Sequence, residues 1–214
     1  MIKVKVFHTD ECLMRDLALS KVNSKSYNDN DGFGFVIHDD FTDYCKVQYV
    51  EKNTIERQIE TPIGDFSTIQ EVTYYKFFFI LRYNSNNSII FLNPPRNIKY
   101  ASDIIRSLIP EGCHVSQLKL DLKEIIENIK HIRKGKLKSA TLSNILYDTQ
   151  THAKTKLNST DDLYHFYTKN YMKTIAKVDS AIFEINGKLY ELTESGRITF
   201  QGDDIESVLN FLCI

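Results

Sequence analysis

Apolar residues recur at even spacings through the first half of the chain. Four segments around residues 2–6, 33–37, 45–49 and 55–59 have this pattern, which is typical of strands with one buried face. The apolar run Phe77–Leu81 is typical of a central strand that is covered on both faces. The first half therefore predicts a meander of mostly antiparallel strands, beginning with a strand at the N-terminus that leads into a short helix capped by Thr9.

The second half shows helical spacing. Apolar residues three or four apart predict helices over residues 98–109, 122–132 and 163–175, and a final helix near residues 205–212. The dipeptide Asn186-Gly187, flanked by alternating segments, predicts a two-residue type I′ hairpin.

Residues 136–158 give the least regular pattern. Alternation at residues 136–141 favours a strand followed by a long polar loop, although a hairpin over the whole stretch is an alternative. The sequence thus predicts an α+β fold: an N-terminal antiparallel sheet meander over residues 1–95, followed by a helix-rich half over residues 96–214 with a second small β-hairpin sheet. The two regions could also form one continuous domain.

Composition and charge narrow the classes of partner. The chain has 27 basic and 28 acidic residues, a net charge of −1, so any anion-binding surface must be local.

Four scattered cysteines form no Cys-x-x-Cys pair, and we expect free thiols in a reducing, cytoplasmic setting. No apolar run approaches the ~20 residues that span a bilayer, so no membrane partner is expected. The lysine-rich, tryptophan-free composition is typical of AT-rich genomes and favours an accessory gene of a bacterium or phage, in a defence system.

A basic segment is the strongest candidate for a binding surface. Nine residues without an acid contain Lys130, Arg133, Lys134, Lys136 and Lys138. Cations are expected at the end of a helix because of its dipole, but this does not explain the last two lysines. These side chains are predicted to bind nucleic-acid phosphates or another anion.

Arg96 is a further candidate of the same kind. It precedes a predicted helix whose free backbone amides could help to hold an anion.

An acidic turn supplies the main alternative. Asp39, Asp40 and Asp43 lie between two predicted strands, and converging carboxylates could bind Mg²⁺ or Mn²⁺ to activate water against a phosphodiester. Aspartate is also favoured in turns for its local hydrogen bonds, and this interpretation is preferred.

Motifs for other chemistry are lacking. There is no G-x-S-x-G elbow and no paired histidine spacing, and the acid-x-lysine fragment at Asp121 falls where a helix should begin. The leading hypothesis is a non-catalytic accessory module without a cofactor, which contacts nucleic-acid backbone or an acidic protein partner through the basic segment. The alternatives are a metal-dependent phosphodiesterase or nuclease at the acidic turn, and a homo-oligomeric scaffold subunit.

Overall fold

The structure is mostly β. A computed structural model describes residues 1–9, 14–83, 87–94, 98–110, 112–133, 135–146 and 151–202. Among the described residues, strands hold more than twice as many residues as helices. The strands are β1 (Ile2–Thr9), β2 (Phe33–Asp40), β3 (Tyr44–Glu60), β4 (Phe66–Arg82), β5 (Ser88–Leu92), β6 (Val115–Gln117), β7 (Lys136–Leu146), β8 (His152–Asn158), β9 (Lys177–Ile185), β10 (Lys188–Thr193) and β11 (Arg197–Phe200). The helices are α1 (Arg15–Ser24), α2 (Ile98–Leu108), α3 (Leu122–Arg133) and α4 (Tyr164–Asn170).

The chain divides into two compact units. The first unit comprises residues 8–115, and its strands β2 to β5 pair antiparallel in chain order. The second unit comprises residues 1–7 and the chain from residue 116 onward. Its strands lie in the order β1-β11-β10-β9-β7-β8, and β6 also pairs with β1.

Buried aromatic residues line one face of the meander in the first unit, and Ile80 and Ile90 are buried on the other face. On β4, Phe77, Phe79 and Leu81 are buried, and alternate residues of β3 face them across the ladder. The Phe79 ring contacts Phe35 edge-on at 5.7 Å and Phe91 at 5.8 Å between ring centres. Packed aromatic pairs of this kind stabilise the sheet beyond the area that they bury.

The predicted hairpin in the second unit is confirmed. Ile185 pairs with Lys188, and the two residues between them, Asn186 and Gly187, have φ angles of 51° and 74°. Positive φ at both central residues is the signature of a type I′ turn, whose twist matches that of the strands.

Asp121 lies where a helix begins, as predicted, and its side chain caps that helix. Its Oδ1 accepts hydrogen bonds from the backbone amides of Lys123 (3.0 Å) and Glu124 (3.1 Å) at the start of α3.

The prediction of a helix-rich second half is wrong. The strands β7 (Lys136–Leu146) and β8 (His152–Asn158) pair antiparallel where a strand and a long loop were predicted, and α4 has only seven residues. The ladder between β7 and β9 shifts register between Leu137 and Ser139, and the β7–β8 ladder shifts between Leu142 and Ile145. Bulges of this kind add a residue to one strand and interrupt the alternation by which a strand is recognised. The final helix predicted near residues 205–212 lies outside the described residues.

The first half differs from its prediction in two details. The segments at residues 45–49 and 55–59 are one continuous strand, β3, rather than two. Thr9 ends β1 and does not cap a helix, while α1 begins at Arg15 and buries Ala18 and Val22.

Candidate functional site

Two lysines of the basic segment are described in full, and both contact carboxylates. The Nζ atom of Lys136 lies 2.6 Å from Asp161 Oδ1, and that of Lys138 lies 3.5 Å from Glu184 Oε2. Lys138 also donates a hydrogen bond of 2.6 Å to the Thr160 carbonyl oxygen. The hydrogen bond to Asp161 raises the pKa of Lys136, so its charge is retained but locally balanced.

The structure describes no contact between these two lysines and the other predicted anion-binding residues. Lys130 and Arg133 lie in the last turn of α3. Lys134 and Arg96 fall outside the described residues. Binding by this segment therefore stays a prediction.

The acidic turn presents its carboxylates in different directions. Asp39 and Asp40 are neighbours on β2, so their side chains lie on opposite faces of the strand. Asp39 lies 3.9 Å from Lys46 Nζ, while Asp40 pairs with Arg15 at 2.6 Å. In the part of the chain that the structure describes, no three histidine, cysteine or acidic residues are grouped as a metal site.

Cys45 pairs with Asp40 across the β2–β3 ladder, and it is buried. Burial raises the pKa of its thiol to about 11, so the reactive thiolate is scarce at neutral pH. Cys45 is therefore a poor nucleophile.

The most distinctive feature of the first unit is the outer half of the β3–β4 hairpin. The two strands pair without a register shift from Tyr44↔Arg82 to Glu60↔Phe66. The neighbouring strands cover only the inner part, because the β2 ladder ends at Glu51 and the β5 ladder ends at Phe78. We call residues 53–73 the arm. Its paired strands extend about 25 Å at the usual rise per residue.

Both faces of the arm carry exposed apolar side chains. The face that continues the buried side of β3 and β4 carries Ile55, Ile59 and Ile69, and the opposite face carries Phe66 and Val72. All five are exposed. A two-stranded ribbon without a covering layer is only marginally stable in water, so this apolar surface adds little to the fold of the isolated chain.

Polar contacts hold the two strands of the arm in register. Arg57 pairs with Glu71 at 3.3 Å on one face, and Gln70 Nε2 donates to Glu56 Oε1 at 2.8 Å on the other. The arm contains four acidic residues and one basic residue, a net charge of −3.

The tip of the arm, residues 60–66, is a tight turn. The Gly64 amide donates to the Thr61 carbonyl oxygen at 2.9 Å, and Gly64 has a φ of 85°, which favours glycine. This turn leaves Ile63 84% exposed, and Phe66 beside it is 69% exposed. The two most exposed large apolar side chains of the arm therefore lie at its tip.

Sequence comparison adds no functional assignment. No family model matches the chain, and no curated protein is similar to it in sequence. In the described ranges, none of the helices has the length and apolar character needed to cross a membrane. A function is therefore inferred from the exposure, charge and contacts of the side chains.

The sequence analysis did not predict the arm. Its signal is the symmetry of two long alternating segments around Pro62 and Gly64, with apolar residues that continue on both sides of the turn. Treating residues 55–59 as a separate strand concealed this symmetry.

Proposed function

We propose that this chain is a non-catalytic subunit of a protein assembly, and that the arm is the element by which it binds a protein. The observation that carries the proposal is the row of exposed apolar side chains on both faces of the arm. Contiguous apolar surface of this kind, edged by polar residues, is typical of protein-binding sites.

The shape of the arm favours a partner with a groove. A flat partner would cover one face and leave the other in water, whereas a groove removes both faces and the tip from solvent. The gain is roughly 25 cal/mol for each Å² of apolar surface that becomes buried.

The charge of the arm favours protein over nucleic acid or an anionic membrane. Its net charge of −3 is repelled by phosphates, and Glu60 and Asp65 flank the apolar tip. A protein groove with basic residues at its rim satisfies both the apolar and the acidic side chains.

Photo-crosslinking in cells that normally make the protein tests this proposal. A photoreactive benzoylphenylalanine replaces Phe66 on the arm, and the matched control places it at Phe166 on α4, which is also exposed. We expect discrete protein adducts from the arm position that are absent from the control position.

The remaining outcomes overturn the proposal. Equal labelling from Phe66 and Phe166, or no adduct from Phe66, would show that the arm is not a binding element. Adducts of Phe66 with nucleic acid or lipid would assign the arm to another class of partner.

A further inference from the structure

The second unit contains a cleft with an apolar floor. Its volume is about 540 Å³, within the range of ~300–1,000 Å³ in which proteins usually bind ligands. The floor consists of the buried residues Leu120, Leu122, Ala176 and Val178. Ile175 lines the same cleft and is 70% exposed, so an apolar side chain is available at its mouth.

Lysines surround this floor. Lys177 is balanced by Glu194 at 2.7 Å. Lys123 donates to the neutral Thr174 carbonyl oxygen at 2.8 Å, and neither Lys123 nor Lys119 has a carboxylate partner among the described residues. The lining also contains the carboxylates of Asp121 and Glu194, so its three lysines leave the cleft with a net charge of +1 around an apolar floor.

The tip of the arm has the complementary chemistry. Ile63 and Phe66 are its exposed apolar side chains. Glu60 and Asp65 lie beside them, and both are exposed. The tip thus combines apolar surface with a net charge of −2, opposite in sign to the net charge of the cleft.

We propose that the tip of the arm of one copy binds in the cleft of a second copy of this chain. The inference rests on the proposed function and names its partner. Ile63 and Phe66 contact the floor and Ile175, while Glu60 and Asp65 lie against Lys119 and Lys123. Because arm and cleft are different surfaces, each copy offers one of each.

A pair of charge-reversed variants tests this contact by sedimentation velocity over a concentration series. The arm variant carries Glu60→Lys and Asp65→Lys, and the cleft variant carries Lys119→Glu and Lys123→Glu. All four side chains are solvent-accessible, and circular dichroism verifies that the variants fold. We expect the wild type to associate with rising concentration and each variant alone to associate at least about tenfold more weakly, because like charges then meet.

Mixing the two variants gives the decisive result. In an equimolar mixture, each arm can meet a cleft of opposite charge, so we expect association to return. The matched control, Asp16→Lys with Asp103→Lys, changes the net charge as much as the arm variant does but alters exposed positions on α1 and α2. It should associate like the wild type.

Two results overturn the inference. One is a wild type that stays monomeric at every concentration, and the other is a mixture that associates no better than its components. If the wild type is monomeric but Phe66 still crosslinks to a different protein, the second-copy inference fails and the proposed function stands. If Phe66 gives no specific adduct, the proposed function itself fails.

Discussion

The inner and outer halves of the β3–β4 hairpin share two strands and one register, yet their surroundings differ completely. In the inner half, Phe77, Phe79 and Leu81 lie in the core between β2 and β5. In the outer half, beyond the ladders of these two strands, Ile59 and Phe66 are exposed. Strand pairing alone therefore does not account for the apolar residues in the arm, whereas the proposed contact with another protein does.

The largest difference is expected when an aromatic ring is removed from each half. Phe79→Ala should lower the free energy of unfolding by about 3–5 kcal/mol, since it leaves a cavity in the core. Phe66→Ala should change it by no more than ~0.5 kcal/mol, as is usual for exposed positions. Urea denaturation of both variants at low protein concentration measures the difference. A large loss in Phe66→Ala would show that the arm is part of the cooperative core.

Substitutions at Gly187 and Gly64, which both have positive φ, compare the stability of the core with that of the arm. Gly187→Val, in the turn between β9 and β10, should lower the free energy of unfolding by ~1 kcal/mol or more because a β-branched residue is strained there. Gly64→Val has similar strain at the tip of the arm, but the arm can fray without unfolding its unit. Its effect on global stability should therefore be much smaller. Equal losses in the two variants would contradict an independent arm.

The basic segment gives the smallest expected effect. Four duplex phosphate contacts would give a slope of about −3.6 for log K against log salt. We expect any duplex binding to have a slope near −2 or shallower, because Lys136 and Lys138 already contact Asp161 and Glu184. Lys136→Glu with Lys138→Glu should leave that slope unchanged. A steep slope that this variant abolishes would favour the nucleic-acid hypothesis over the arm.

Sequence reasoning succeeded where one local signal fixes the backbone. Asn186-Gly187 specified its hairpin because few residue pairs tolerate two positive φ angles. The spacing in α2 and α3 identified real helices, and their buried residues include Ile105 and Ile126.

The sequence was misleading where the pattern is interrupted or incomplete. Alternation identified the first part of β7, but it is interrupted after Leu142, so the rest of the hairpin was interpreted as a loop. The helix predicted over residues 163–175 ends at Asn170, and two of the apolar residues whose spacing predicted it, Phe166 and Ile175, are exposed. The candidate site could not be predicted for a related reason. Alternation shows which residues share a face of the arm, but not whether another layer of the chain covers that face.

Hydrogen exchange of backbone amides, measured at low and at high protein concentration, tests most directly whether the arm becomes buried on association. At low concentration, amides at residues 53–60 and 66–73 should exchange much faster than those at residues 45–50 and 78–81, which lie in the covered half of the same ladder. At high concentration, the arm should gain protection while the inner half stays unchanged. If the protein associates and the arm amides still exchange at the low-concentration rate, the arm is not the binding element.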